Sequence, residues 1–213
     1  MQLQALWGPE RRVVFSEFFC MSQMLVVRPG ATALDEQERM KGALDIPLSE
    51  VGKQQVLLAA DQIAKFPIAM IYCGPCESAV DTAKILAEKA NCKWKVCEWL
   101  RNLDHGLWEG KCIEEIKRQQ PKLYRQVQDN PNLFNPPEGE TLGQAQQRVT
   151  KQLQKLKKKH DGEVIAVVIP EPLATLIATQ LKCSTFDDFW KSECDTGTWE
   201  LIDSATEAVK LTV

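Results

Sequence analysis

The chain has 213 residues, 44% of them hydrophobic, with 26 basic and 29 acidic side chains and a net charge of −3. That length and apolar content suit one sizeable core, with no proline- or glycine-rich linker to divide it. The charge balance leaves no basic footprint for nucleic acid, and no apolar run approaches the length of a membrane span, so neither is expected as a partner. Eight cysteines without a convincing export signal predict a reducing, cytoplasmic setting.

Residues 1–22 place Arg11 and Arg12 before an apolar patch of Phe15, Phe18 and Phe19 that Ser16 and Glu17 interrupt. They read as an N-terminal extension of unknown role, an added strand or flap, ahead of a domain spanning 23–213. A first strand ending Val26-Val27 runs into Arg28-Pro29-Gly30-Ala31-Thr32. Ser49 suits the cap of a helix carrying Val56, Leu57, Ala60, Ile63 and Ala64 on one face. A strand over Ile68–Cys73 precedes a helix with Ala79, Val80, Ala83, Leu86, Ala87 and Ala90 at helical spacing. A short strand holding Trp94, Val96 and Trp99 follows, then a polar helical stretch over 111–134. Thr141 and Gln144 fit a capping box for a long helix bearing Leu142, Ala145, Val149, Leu153 and Leu156. Glu163–Ile169 reads as a strand, Leu173–Leu181 as a helix, and Trp199–Ile202 and Ala208–Val213 as closing strands. Apolar strands alternating with helices predict a three-layer α/β/α sandwich around a mostly parallel sheet.

Two prolines follow two of these strands, where an α/β protein places its working side chains: Pro29 in Val26-Val27-Arg28-Pro29-Gly30, and Pro170 in Val167-Val168-Ile169-Pro170-Glu171-Pro172. The first segment resembles the histidine phosphatase, or phosphoglycerate mutase-like, family, which carries Arg-His-Gly after its first strand. Further segments arrive in the family's order. Gly42-Ala43-Leu44-Asp45-Ile46-Pro47-Leu48-Ser49-Glu50-Val51-Gly52 is similar to Gly-x-x-Asp-x-Pro-Leu-Thr/Ser-x-x-Gly. Cys73-Gly74-Pro75 stands at a Ser-Ser-Pro turn, with Asp81-Thr82-Ala83 for Gln-Thr-Ala. Gly106-Leu107-Trp108-Glu109-Gly110 and Gly139-Glu140-Thr141-Leu142 match two more stretches, and the polar insertion at 111–134 is one the family carries over its site.

The resemblance implies a phosphatase or mutase scaffold whose chemistry is altered. The family forms a phosphohistidine where this chain has Pro29, and places a second pocket histidine where it has Pro170. An arginine position is taken by Ser78, and a proton-donating glutamate position by Asn102. Arg28, Gly30 and Thr32 remain as the group that would hold an anion. Phosphomonoester hydrolysis requires a barrier lowered by more than about 20 kcal/mol, and the covalent route needs a lone pair aimed at phosphorus. Proline has none, and losing a nucleophile alone costs on the order of 10⁶ in rate. Glu171 adds a negative charge beside the pocket, and would neutralise Arg28 if the two paired.

Replacement chemistry has few candidates. The chain's two histidines are His105, which reads as structural, and His160, which ends a lysine-rich helix and reads as part of a solvated face. Cys73-Gly74-Pro75-Cys76 lies between a strand and a helix, a setting that favours a redox dithiol, although both cysteines also fit as tolerated small residues. Cys73, Cys76, Cys92 and Cys97 have a spacing near that of a zinc ribbon, but the helix between the pairs would hold them about 20 Å apart. Cys20, Cys112, Cys183 and Cys194 show no metal spacing, and no metal or other cofactor is expected. Trp108 and Trp190 read as core.

Three readings follow. The first is a non-catalytic relative of the phosphatases with a residual cleft for a phosphate-like anion or a protein partner. The second is a thiol redox protein using Cys73 and Cys76. The third is a phosphomonoesterase or mutase of altered mechanism.

Overall fold

The computed structural model describes residues 23–186, 189–193 and 195–203. The N-terminal extension, Cys20, Cys194 and the closing strand expected at Ala208–Val213 lie outside them. The elements run β1 (Gln23–Val27), α1 (Ala33–Glu36), α2 (Glu50–Ile63), β2 (Ile68–Cys73), α3 (Glu77–Ala90), β3 (Lys93–Val96), α4 (Ile113–Gln119), α5 (Pro121–Asp129), α6 (Leu142–Lys159), β4 (Val164–Val168), α7 (Leu173–Leu181), α8 (Phe189–Ser192) and β5 (Trp199–Asp203). The strands form one sheet in the order β3-β2-β4-β1-β5. The first four are mutually parallel, and β5 pairs antiparallel with β1.

Strand alternation divides the sheet's side chains between two cores. Leu25, Val27, Ile71, Cys73, Ala166 and Val168 face Ala59, Ile63, Ala79, Ala83 and Leu86 of α2 and α3. Met24, Val26, Tyr72, Ile165 and Val167 face Val149 and Leu153 of α6, Ile177 of α7 and the 111–134 segment. The predicted three-layer sandwich is therefore present, and its central strands are apolar on both faces because both are covered.

Local signals set most boundaries. Ser49 accepts from Gly52 N and caps α2, and Thr141 and Gln144 form the expected capping box on α6. The polar insertion is two helices, because Pro121 cannot continue α4 and instead opens α5. Trp99 is a correction: it lies in a 3₁₀ turn at Glu98–Leu100, not in β3, whose pairing with β2 ends at Val96. α3 has Cys76 as its N-cap and ends before Cys92, so the rod that separates the two cysteine pairs is present.

Trp108 is 1% exposed, and with Phe134, Phe189, Trp190 and Tyr124 it forms an aromatic cluster under the insertion. His105 is completely buried in this cluster, edge-on to Phe134.

Candidate functional site

The register of β1 against β4 pairs Val27 with Val168. Pro29 and Pro170 each lie two residues further along, so the two buried prolines stand together at the carboxyl end of the sheet. The backbone around them is fixed from the β5 side, where Arg28 N donates to Thr198 O at 2.8 Å and Gly197 N donates to Pro29 O at 2.7 Å. The adjoining loop packs without clearance. A Cβ on Gly30 would land on the carbonyl oxygen of Gly52, and one on Gly52 would land on that of Ala31. Glycine is needed here for close approach rather than for an unusual φ.

Arg28 lines a cleft of about 280 Å³ with Thr175, Lys182 and Glu200, and its guanidinium is held there by the protein's own acids. Its Nε donates to Glu171, Nη1 and Nη2 reach Glu200 Oε1 at 3.4 Å, and Nη2 also reaches the Thr175 hydroxyl at 3.3 Å. Glu171 is fully buried and caps the start of α7, accepting from Thr175 N at 3.1 Å and from its hydroxyl at 2.9 Å. Burial pushes the Glu171 carboxyl up, against the opposing pull of Arg28 and Thr175. Glu200 is shared with Lys182.

The other two anion candidates are likewise engaged within the chain. Thr32 donates from both N and Oγ1 to Asp35 Oδ2 at 2.7 Å, and Asp35 Oδ1 lies 2.6 Å from the buried Lys41 ammonium. Gly30 N reaches Thr82 Oγ1 at 3.4 Å. Of the two outcomes the sequence left for Arg28, an anion holder or a partner of Glu171, the structure has the pair with Glu171, and Thr32 likewise bonds a carboxylate of the protein's own.

Asn102 and Ser78 are buried. Asn102 Nδ2 donates to Gly42 O at 3.0 Å and to Glu171 O at 2.7 Å, while Oδ1 lies 3.4 Å from Leu173 N. It ties the loop after β4 to the loop before α2, a role that an amide fills and that needs no proton transfer. Ser78 Oγ lies 3.7 Å from Cys76 Sγ. At the start of α3, Asp45 Oδ1 accepts from Glu77 N at 2.6 Å, so a carboxylate occupies this helix N-terminus too. Beside it, Gly42, Ala43, Asp45, Pro75, Cys76, Arg101 and Asn102 line a cleft of about 220 Å³.

The cysteine pair is split by environment. Cys73 is fully buried, its Sγ 3.7 Å from Lys95 O, and burial, with Cys97 and Cys76 nearby, pushes its thiol up to about 12. Cys76 is half-buried at the cleft wall.

Two features escaped the sequence reading. His105 Nε2 lies 3.3 Å from Glu193 Oε1, yet the two are not aligned for a hydrogen bond, leaving His105 Nδ1 and Nε2 and Glu193 Oε1 without partners. Burial, with Lys41 nearby, lowers the His105 pKa to about 3, and burial raises that of Glu193 well above the usual carboxylate range. No local pattern announces this pair, because residues 105 and 193 meet only through tertiary folding. His160 is a correction: expected on a solvated helix end, it is buried, with its ring bonded to Tyr72 and Glu163. The Thr32-Asp35 clasp was readable as a capping-box spacing.

The family model for the histidine phosphatase superfamily, branch 1, matches residues 24–213. Phosphoserine phosphatase 1 of Hydrogenobacter thermophilus is 27% identical over 182 residues, covering 85% of this chain and 86% of that protein. Phosphoglycerate mutase-like protein 4 of Arabidopsis thaliana is 31% identical over 157 residues, covering 72% and 68%. Among solved structures, YhfR of Bacillus stearothermophilus superposes with a TM-score of 0.74 at 25% identity, covering 84% of this chain and 90% of that one. The chain belongs to the histidine phosphatase superfamily, branch 1.

Proposed function

We propose that this chain is a non-catalytic member of its superfamily, a scaffold whose former phosphoryl pocket is held shut by the protein's own acids. One observation carries the reading: Glu171, fully buried, sits on Arg28 in the same loop as Pro170. Relatives carry the names of phosphatases and mutases, but the resemblance puts their phosphorylated histidine at Pro29 and their second pocket histidine at Pro170. Neither His105 nor His160 can substitute. His105 is sealed among aromatic rings and kept neutral, and His160 is bonded to Tyr72 and Glu163 beside α6. An incoming phosphate would have to displace Glu171, and each charge-assisted bond it forfeits is worth about 1.5–3 kcal/mol. The cleft at Asp45, Cys76, Arg101 and Asn102 is one surface that a partner could use.

The test is a panel of phosphomonoesters, including phosphoserine and p-nitrophenyl phosphate, offered to purified protein. Turnover at background rate is expected. Turnover that survives repurification and disappears on substituting a cleft residue overturns the reading. The dithiol reading is less well supported, because a thiol pushed up to about 12 supplies almost no thiolate at neutral pH.

A further inference from the structure

β3 ends the sheet on one side, and all four of its residues, Lys93–Val96, are exposed. Just past it, Cys97 N donates to Cys73 O at 2.8 Å. Bonded residues alternate along an edge strand of a parallel ladder, so Lys93 and Lys95 direct their backbone groups at β2. The N–H and C=O groups of Trp94 and Val96 therefore point outward, where no other strand of the described residues lies.

The two faces of this edge differ in chemistry. The register sets Lys93 beside Met70 and Lys95 beside Tyr72, on the α6 side of the sheet, and Trp94 beside Ile71 and Val96 beside Cys73, on the α3 side. Lys159 reaches the lysine face, since its Nζ donates to the Tyr72 hydroxyl at 3.0 Å. Lys95, Lys159 and Glu98 all act on the Cys97 thiol, so cations outnumber the acid there. Among the described residues neither Lys93 nor Lys95 is paired with a carboxylate. On the other face, Trp94 and Val96 are each 36% exposed.

Lysines on an edge strand repel stray strands, which accounts for one face and leaves the exposed Trp94 and Val96 on the other unexplained. A second copy is a poor occupant. Antiparallel pairing centred on Trp94 or Lys95 sets lysine opposite lysine, and like charges directly opposite are destabilising.

We propose that β3 is a docking edge for an extended segment of an acidic partner protein, one in which acidic and apolar residues alternate. As an added strand, such a segment bonds the outward groups of Trp94 and Val96 through its backbone. Its period of two puts carboxylates opposite Lys93 and Lys95 and apolar side chains against Trp94 and Val96. This inference does not depend on the reading of the cleft.

The probe is the peptide fluorescein-Gly-Glu-Val-Glu-Val-Glu-Val-Glu-amide, titrated into the full chain at low salt and read by anisotropy. It should bind about tenfold more tightly than its counterpart with lysine at every acidic position, and more tightly than a peptide of the same composition with its valines together. Lys93→Glu combined with Lys95→Glu should reverse the preference between acidic and basic peptides. Both positions are exposed, so the fold is kept. Val96→Pro removes an outward donor and spares the ladder to β2, and should weaken binding about tenfold. Equal affinity for the acidic and basic peptides, a preference unchanged in the double variant, or binding unaffected by Val96→Pro overturns the proposal. A parent dimer that Val96→Pro dissolves also overturns it, because the occupant is then a second copy.

Discussion

The backbone around the two prolines and the side chains between them differ in kind. The backbone is closely packed: Gly30 lies against Gly52, and Gly52 against Ala31 O. The side chains form a closed set of internal ion pairs and caps, with Glu171 and Glu200 on Arg28, Asp35 on Thr32 and Lys41, and Asp45 on the start of α3. Backbone approach is demanded by packing, so it persists whether or not a ligand binds. Side-chain chemistry is demanded only by the ligand, so it is free to be replaced by internal partners.

Breaking the backbone half should have the largest effect. Gly52→Ala forces a Cβ into the Ala31 carbonyl, which no rotamer change relieves, and should cost more than about 3 kcal/mol in urea unfolding. A variant within about 1 kcal/mol of the parent means that the loop yields easily and that the tightness described here is not structural.

Breaking the side-chain half should come next. Glu171→Ala leaves a buried guanidinium with only the longer contacts to Glu200 and Thr175, at a cost of about 3 kcal/mol. The same variant should gain affinity for inorganic phosphate measured by calorimetry, whereas the parent should show none. Phosphate binding that is equal in both proteins contradicts the account of Glu171 as the pocket's occupant.

The pH dependence of stability sharpens the contrast. His105, lowered to about 3, is neutral when folded but protonates near pH 6.5 when unfolded. Its contribution is intact above pH 6.5 and is lost as pH falls toward 3, at up to about 1.4 kcal/mol per pH unit. Glu193, raised by burial, acts in the opposite sense, costing stability as pH climbs above the usual carboxylate range, so the two slopes oppose each other between about 4.5 and 6.5. His105→Phe should therefore become more stable relative to the parent as pH is lowered from 6.5 to 4. Parallel melting curves at both pH values contradict the neutral histidine. The smallest effect belongs to the exposed face of α2, where Leu58→Ser should shift stability by no more than about 0.5 kcal/mol in the same urea assay.

The layers, strand spans and caps were legible because they are local. Ile68–Cys73 and Leu173–Leu181 follow from runs and periods, and Ser49 and Thr141 from cap chemistry. Trp99 was misplaced because its apolar bulk reads as strand while hydrogen bonding to β2 stops at Val96. The possible Glu171-Arg28 pair was visible as two residues following adjacent strands. Glu200 was not, since only the antiparallel register of β5 brings it opposite Val26, beside Arg28. His160 was misjudged for a related reason: the lysines around it are solvated, but its own position on α6 turns inward to Tyr72.

The most direct measurement is to incubate the protein with a radiolabelled phosphomonoester, quench in alkali, which spares phosphohistidine, and look for label on the chain. The closed cleft predicts none, on any side chain, at any substrate concentration reached. A stable phospho-adduct on a residue lining the cleft, formed during turnover, contradicts it.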